Sequence, residues 1–194
     1  MKDDLARTTI SISIFGESAV GKTCICLAFL GTDLPETHIA TIGIDKKISL
    51  IKTEEGDVLK LKLWDTAGQE RFKSVSIRNL RFSQAAIVVF DLTEKESFKR
   101  VIFWLKQIRD YSDIMPIVLF GNKSDLVEKR VVSRQEIDEF CKKENIIYFE
   151  TSAKNKTGIN EGFTKVASMA YKIYGNVEST GLKLKKIKKK KSKC

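Results

Sequence analysis

The chain has 194 residues, with 35 Lys and Arg against 25 Asp and Glu, for a formal net charge of +10. That length predicts one domain with a real core, and no apolar run reaches the ~20 residues of a membrane-spanning helix. The polar start Met1-Lys2-Asp3-Asp4 does not suit a secretory signal, and Cys24, Cys26, Cys141 and Cys194 follow neither a metal-ligand nor a disulfide spacing, so reduced cytosolic thiols are expected.

The charge is unevenly placed. The segment from Lys183 to Cys194 holds eight lysines and no acid, which leaves 27 basic against 25 acidic side chains elsewhere. A basic globular face for nucleic acid is therefore not expected; the excess belongs to a tail.

In chain order, Ile10, Ile12 and Ile14 alternate with Thr9, Ser11 and Ser13, which predicts a strand over 8–15. The apolar stretch after Thr23 predicts a helix over 22–30. Between them lies Gly16-Glu17-Ser18-Ala19-Val20-Gly21-Lys22-Thr23, a glycine, four free positions, then Gly-Lys-Thr. In such a loop the glycines let backbone N–H groups turn inward to phosphate oxygens. The lysine brings a point charge, the threonine a hard oxygen for Mg²⁺, and the helix its positive end.

Residues 31–41 read as a loop, and 44–53 with 58–64 as a hairpin in which Leu59, Leu61 and Leu63 alternate with Lys60 and Lys62. Asp65 to Glu70 reads as a polar loop. The unbroken run Ala85 to Phe90 predicts a strand covered on both faces, followed by a helix over 96–111, a strand over 117–120 and the loop Gly121 to Asp125. Ser133 with Glu136 forms a capping box for a helix to Glu144. A strand over 146–149 and a helix over 160–171 complete the pattern, and none is expected after Gly175.

Alternating strands and helices predict an α/β fold: a six-stranded, mostly parallel sheet with one antiparallel edge strand and helices on both faces. In such sheets ligands bind beyond the carboxyl ends of the strands. The loops at 16–23, 65–70, 121–125 and 151–154 all follow strands and should meet at one rim. There Asp65 has the chemistry to hold Mg²⁺ or its water, and a carboxylate such as Asp125 accepts two hydrogens from guanine, which adenine does not offer.

These residues carry a family resemblance. From about Ile10 to Tyr174 the chain resembles a Ras-superfamily small GTPase, most like a Rab. The motifs are Gly16–Thr23, Thr41-Ile42-Gly43, Trp64-Asp65-Thr66-Ala67-Gly68-Gln69-Glu70-Arg71-Phe72, Phe90-Asp91-Leu92-Thr93, Asn122-Lys123-Ser124-Asp125 and Thr151-Ser152-Ala153-Lys154. The resemblance implies a P-loop G domain over 1–174 and a disordered polybasic tail over 175–194. It implies a GTP/GDP switch in membrane traffic that hydrolyses GTP slowly, rather than a scaffold that only holds GTP or a Ras/Rho-type signalling protein.

The residue roles follow from the same source. Gly16, Glu17, Ser18, Ala19, Val20, Gly21, Lys22, Thr23, Cys24, Leu34, Asn122, Lys123, Asp125, Ser152, Ala153 and Lys154 would contact the nucleotide. Thr23, Thr41 and Asp65 would hold Mg²⁺. Lys22, Thr41, the Gly68 amide and Gln69, which orients the attacking water, would carry hydrolysis. An exchange factor, a GTPase-activating protein and effectors are the implied partners, with no nucleic acid and a monomer.

Several positions depart from the family pattern. Leu34 stands where an aromatic usually packs on the base, which predicts faster release of GDP. His38 replaces a frequent tyrosine. Ile44-Asp45-Lys46 and Asn79-Leu80-Arg81-Phe82 lack aromatics on which effectors and the Rab escort machinery dock. The tail ends in a single Cys194 after Ser192-Lys193, without the paired cysteines or three following residues of common prenylation signals. Lipidation of Cys194 beside an anionic-membrane-binding lysine cluster is the implied anchor, placing the protein on the cytosolic face of intracellular membranes.

Overall fold

The computed structural model describes residues 8–34, 44–66 and 79–179. Its strands are β1 (Thr9–Phe15), β2 (Ile44–Lys52), β3 (Val58–Thr66), β4 (Ala85–Asp91), β5 (Ile117–Asn122) and β6 (Ile147–Glu150). The helices are α1 (Lys22–Phe29), α2 (Lys95–Lys99), α3 (Val101–Tyr111), α4 (Arg134–Glu144) and α5 (Ile159–Ser179). The strands form one sheet in the order β2-β3-β1-β4-β5-β6, and β2–β3 is the antiparallel pair.

The apolar run of β4 feeds both faces because successive side chains alternate. Ala85, Ile87 and Val89 join Ile10, Ile12 and Ile14 in a core under α1 and α5. Ala86, Val88 and Phe90 join Phe15 and Leu119 in a second core under α3 and α4. The Ser133 capping box forms, with the Glu136 N–H donating to Ser133 Oγ and the Ser133 N–H to Glu136 Oε2.

Four differences from the sequence expectation exceed one residue. β3 continues through Asp65 and Thr66, since both stay in register with β2 and Thr66 Oγ1 donates to the Ile14 carbonyl at 2.6 Å. β5 takes in Gly121 and Asn122; a Cβ at Gly121 would lie 2.4 Å from the Tyr148 hydroxyl, so a larger residue there would have to displace that ring. The expected 96–111 helix is split at Arg100 into α2 and α3. The last helix runs to Ser179 instead of stopping near 171, because Tyr171 and Tyr174 continue its apolar stripe against the first core.

Candidate functional site

The carboxyl ends of β1, β3, β4, β5 and β6 lie along one rim of the sheet, and side-chain bonds tie the loops there together. The phosphate-type loop leaves β1 at Gly16, whose φ of +144° and close approach to Val89 leave no room for a side chain: a Cβ would sit 2.2 Å from the Val89 carbonyl oxygen. It enters α1 at Gly21 in a left-handed conformation, φ +94°. Ser18 and Ala19 are exposed, Glu17 is half-buried and Val20 is buried.

Lys22 is buried at 6% exposure, and its ammonium donates to the carbonyls of Gly16 and Glu17 at 3.1 and 2.6 Å. Burial lowers its pKa to about 8, against the opposing charges of Asp65 and Glu17. The Glu17 carboxylate is in turn held by the Trp104 indole N–H of α3 at 3.2 Å. Trp104 has no counterpart among the sequence predictions; its position within an ordinary apolar helix stripe gives no sign that its nitrogen reaches the loop.

Next to Lys22, Thr23 Oγ1 donates to Asp65 Oδ2 at 2.6 Å. Asp65 is fully buried, and among the described residues its Oδ1 finds no hydrogen-bond partner. Burial raises the pKa of this carboxyl, while the Thr23 hydrogen bond and Lys22 pull it down. An unsatisfied buried carboxylate oxygen is costly unless something else binds it. A hydroxyl and a carboxylate side by side are the hard oxygen donors that Mg²⁺ prefers, so the pair fits that ion.

Asn122 occupies the centre of the rim. Its Nδ2 donates to the Val20 carbonyl at 2.9 Å, and its Oδ1 accepts from the Ala153 N–H at 3.2 Å. The side chain is 2% exposed. Asn122 thus braces the phosphate-type loop to the 151–154 loop. Asp125 accepts from the Ser152 hydroxyl at 2.6 Å, which itself accepts from the Asn155 N–H at 3.1 Å. Lys123 sits in a left-handed conformation, φ +66°, with its ammonium 2.6 Å from Asp91 Oδ2. Asp91 is 4% exposed, and its other oxygen accepts from the Thr93 N–H and hydroxyl. This positioning role of Asp91 is a second feature that sequence reasoning missed. A lone acid ending an apolar strand was the available signal.

The remaining predicted residues sit at the margins. Cys24 is half-buried, with its thiol pKa pushed up by burial and by Asp65. Leu34 is half-buried and packs against the first core. Lys154 is exposed on its turn. His38, Thr41, Gly68, Gln69 and Cys194 lie outside the described residues. In the stretch that lacks the expected aromatics, Phe82 is exposed and lies 6.2 Å from Trp64, with the Arg81 guanidinium 4.5 Å above its ring.

A buried lysine at a glycine loop, a hard-oxygen pair beside it and a braced Asn-Lys-x-Asp loop form a site suited to a polyphosphate with a divalent cation and a heterocyclic base. Comparison with known proteins points the same way. The Ras family model matches residues 11–172. The chain is 39% identical over 155 residues to Ras-related protein Rab-13 of Rattus norvegicus, covering 79% of this chain and 76% of that protein. It is also 39% identical over 164 residues to GTP-binding protein ypt1 of Schizosaccharomyces pombe, covering 84% and 80%.

Proposed function

Because this chain belongs to the Ras family, as a Rab-like small GTPase that hydrolyses GTP in vesicle traffic, we propose that the rim just described is its nucleotide site. The observation that carries this reading is the joining of three separated loops through Asn122 and of a fourth through Thr23 and Asp65. In this reading the loop from Gly16 to Cys24 wraps the phosphates, and Lys22 exchanges its two carbonyl partners for phosphate oxygens. Asp125 accepts from the guanine edge, Lys123 lays its stem along the base with its ammonium held by Asp91, and Ser152, Ala153 and Lys154 close the other side. Leu34 covers the base with less contact than an aromatic provides.

Thr23, Asp65 and, in the triphosphate state, Thr41 would hold Mg²⁺, which supplies neutralisation of phosphate charge. Gly68 donates its amide to the γ-phosphate and Gln69 orients the attacking water. Loss of the γ-phosphate removes what holds Thr41 and Gly68, so the two segments relax and effectors leave. Intrinsic turnover is slow, since an arginine supplied by an activating protein adds about 10³–10⁵ in rate in this class.

The protein works as a monomer, with an exchange factor, an activating protein and effectors as its partners. It sits peripherally on the cytosolic face of membranes, held by the lysine-rich tail and a lipid on Cys194. Among the described residues no helix is long and apolar enough to cross a membrane.

The test is retention of labelled GDP and GTP by purified protein with and without Mg²⁺, with ATP as competitor, and phosphate release as the measure of hydrolysis. Selective, Mg²⁺-dependent retention of guanine nucleotides is expected. Equal retention of adenine nucleotides would refute the site.

A further inference from the structure

The edge hairpin carries a surface that the nucleotide site does not use. In the β2–β3 register Lys46 lies opposite Trp64, Ile48 opposite Lys62, Leu50 opposite Lys60, and Lys52 opposite Val58. Because side chains alternate, these eight residues share the outer face, while Ile51, Leu59, Leu61 and Leu63 point inward to the first core. Ile48 and Leu50 are 49% and 48% exposed, and Val58 is 39% exposed. Among the described residues of the hairpin no acid shares the face. Asp45 is on the opposite side with Lys47, and at the turn Glu54 and Glu55 are paired with Lys165 and Lys172.

Lysines alone would be the ordinary way to keep an edge strand from pairing with another chain. Two adjacent, half-exposed aliphatics inside a ring of lysines are not explained by that. They match the surface chemistry of a protein resting on anionic lipid, with apolar tips toward the acyl boundary and cations at the headgroups.

The exit of the chain favours the same occupant. Along α5, Ser168 Oγ accepts from the Glu54 N–H at 3.0 Å and Lys172 meets Glu55 at 2.6 Å, so the helix passes the hairpin turn. It continues for seven residues to Ser179, ~10 Å at helical rise. The lysine cluster begins at Lys183, within ~14 Å more of extended chain. A membrane that captures the tail therefore lies within reach of the hairpin face.

We propose that the outer face of the β2–β3 hairpin, centred on Ile48 and Leu50 and ringed by Lys46, Lys52, Lys60 and Lys62, is a second membrane-contact surface that adsorbs to anionic lipid. It acts beside the C-terminal lysines and fixes how the domain lies on the bilayer. The proposal deepens the membrane reading above, and the two are separable because face and tail can be altered independently.

The test uses the full, unlipidated, GDP-loaded chain with phosphatidylcholine vesicles, with and without phosphatidylserine. One variant changes the face (Lys46→Gln, Ile48→Ser, Leu50→Ser, Lys52→Gln), and another changes all eight tail lysines to Gln. A milder Lys46→Gln, Lys52→Gln pair and thermal melts guard against a folding defect. The molecule carries its own probe, since Trp64 is on the face while Trp104 is 1% exposed in the core. Brominated acyl chains should therefore quench Trp64 alone.

With the tail intact, the face variant should bind phosphatidylserine vesicles about tenfold more weakly, from the loss of two lysines near the anionic surface whose attraction salt partly screens. The parent should be quenched and Trp64→Phe should not. Parent-like binding of both face variants, or bound parent without quenching, overturns the proposal and leaves the face as a solvated edge or a dock for an acidic protein. A tail variant that binds as the parent does refutes the tail reading instead, and the quenching result still decides the face.

Discussion

Replacing Asn122 by alanine tests the brace at the centre of the rim. The substitution removes the donor to the Val20 carbonyl and the acceptor for the Ala153 N–H, both in a region where Asn122 is only 2% exposed. Each buried group left unpaired costs ~1–3 kcal/mol, so the pair gives ~2–6 kcal/mol. If water enters the space and satisfies one of them, ~1–3 kcal/mol remains. That is roughly 5- to 150-fold in an equilibrium constant.

Urea titration of Asn122→Ala should show this loss at unchanged slope, and labelled GDP should leave faster, because the phosphate-type loop is no longer fixed against the 151–154 loop. Gly21→Ala attacks the same contact from the other side, since its Cβ would sit 2.3 Å from Asn122 Nδ2. The reasoning fails if Asn122→Ala costs less than ~1 kcal/mol. It also fails if the variant keeps its stability but stops discriminating guanine from adenine nucleotides, for then Asn122 reads the base directly.

Asp91→Asn keeps the size of the side chain but loses the charge that holds Lys123, so GDP release should speed up about tenfold, the scale of one charge-assisted hydrogen bond. The effect should vanish in a Lys123→Ala background; persistence there would mean that Asp91 acts elsewhere. Leu34→Phe restores an aromatic over the base and should slow GDP release by roughly 2–10-fold, and a labelled-GDP chase no slower than the parent rejects that role.

Glu136 is held at a pKa of about 2, below the ordinary 4.5, by Lys95 first and then by the Ser133 N–H and hydroxyl. Its stabilisation is complete above pH 4.5 and disappears as pH falls toward 2. Acid unfolding of Glu136→Gln should therefore be flatter across that window, and an unchanged slope counts against the cap.

The pattern of residues alone determined the order of strands and helices, the hairpin edge and the capping box, because each rests on local chemistry. The alternation of Ile10, Ile12 and Ile14, the all-apolar β4 and the Ser133–Glu136 spacing dictate their elements before any tertiary contact forms. The glycine loop was legible for the same reason: its eight residues must be contiguous to wrap a phosphate.

Tertiary structure decided what a side chain does when its partner is distant in the chain. Asn122 reads in sequence as part of a base-recognition motif, yet its amide is spent on Val20 and Ala153, which are 102 and 31 residues away. The Glu17–Trp104 and Asp91–Lys123 pairs exist only because parallel strands bring their carboxyl ends to one rim. Helix ends behaved likewise: α5 runs through Gly175 because burial of Tyr171 and Tyr174 outweighs the weak helix propensity of one glycine. Local rules fix which elements form; the packing of the sheet fixes which polar atoms meet, and that is where the chemistry of this protein is set.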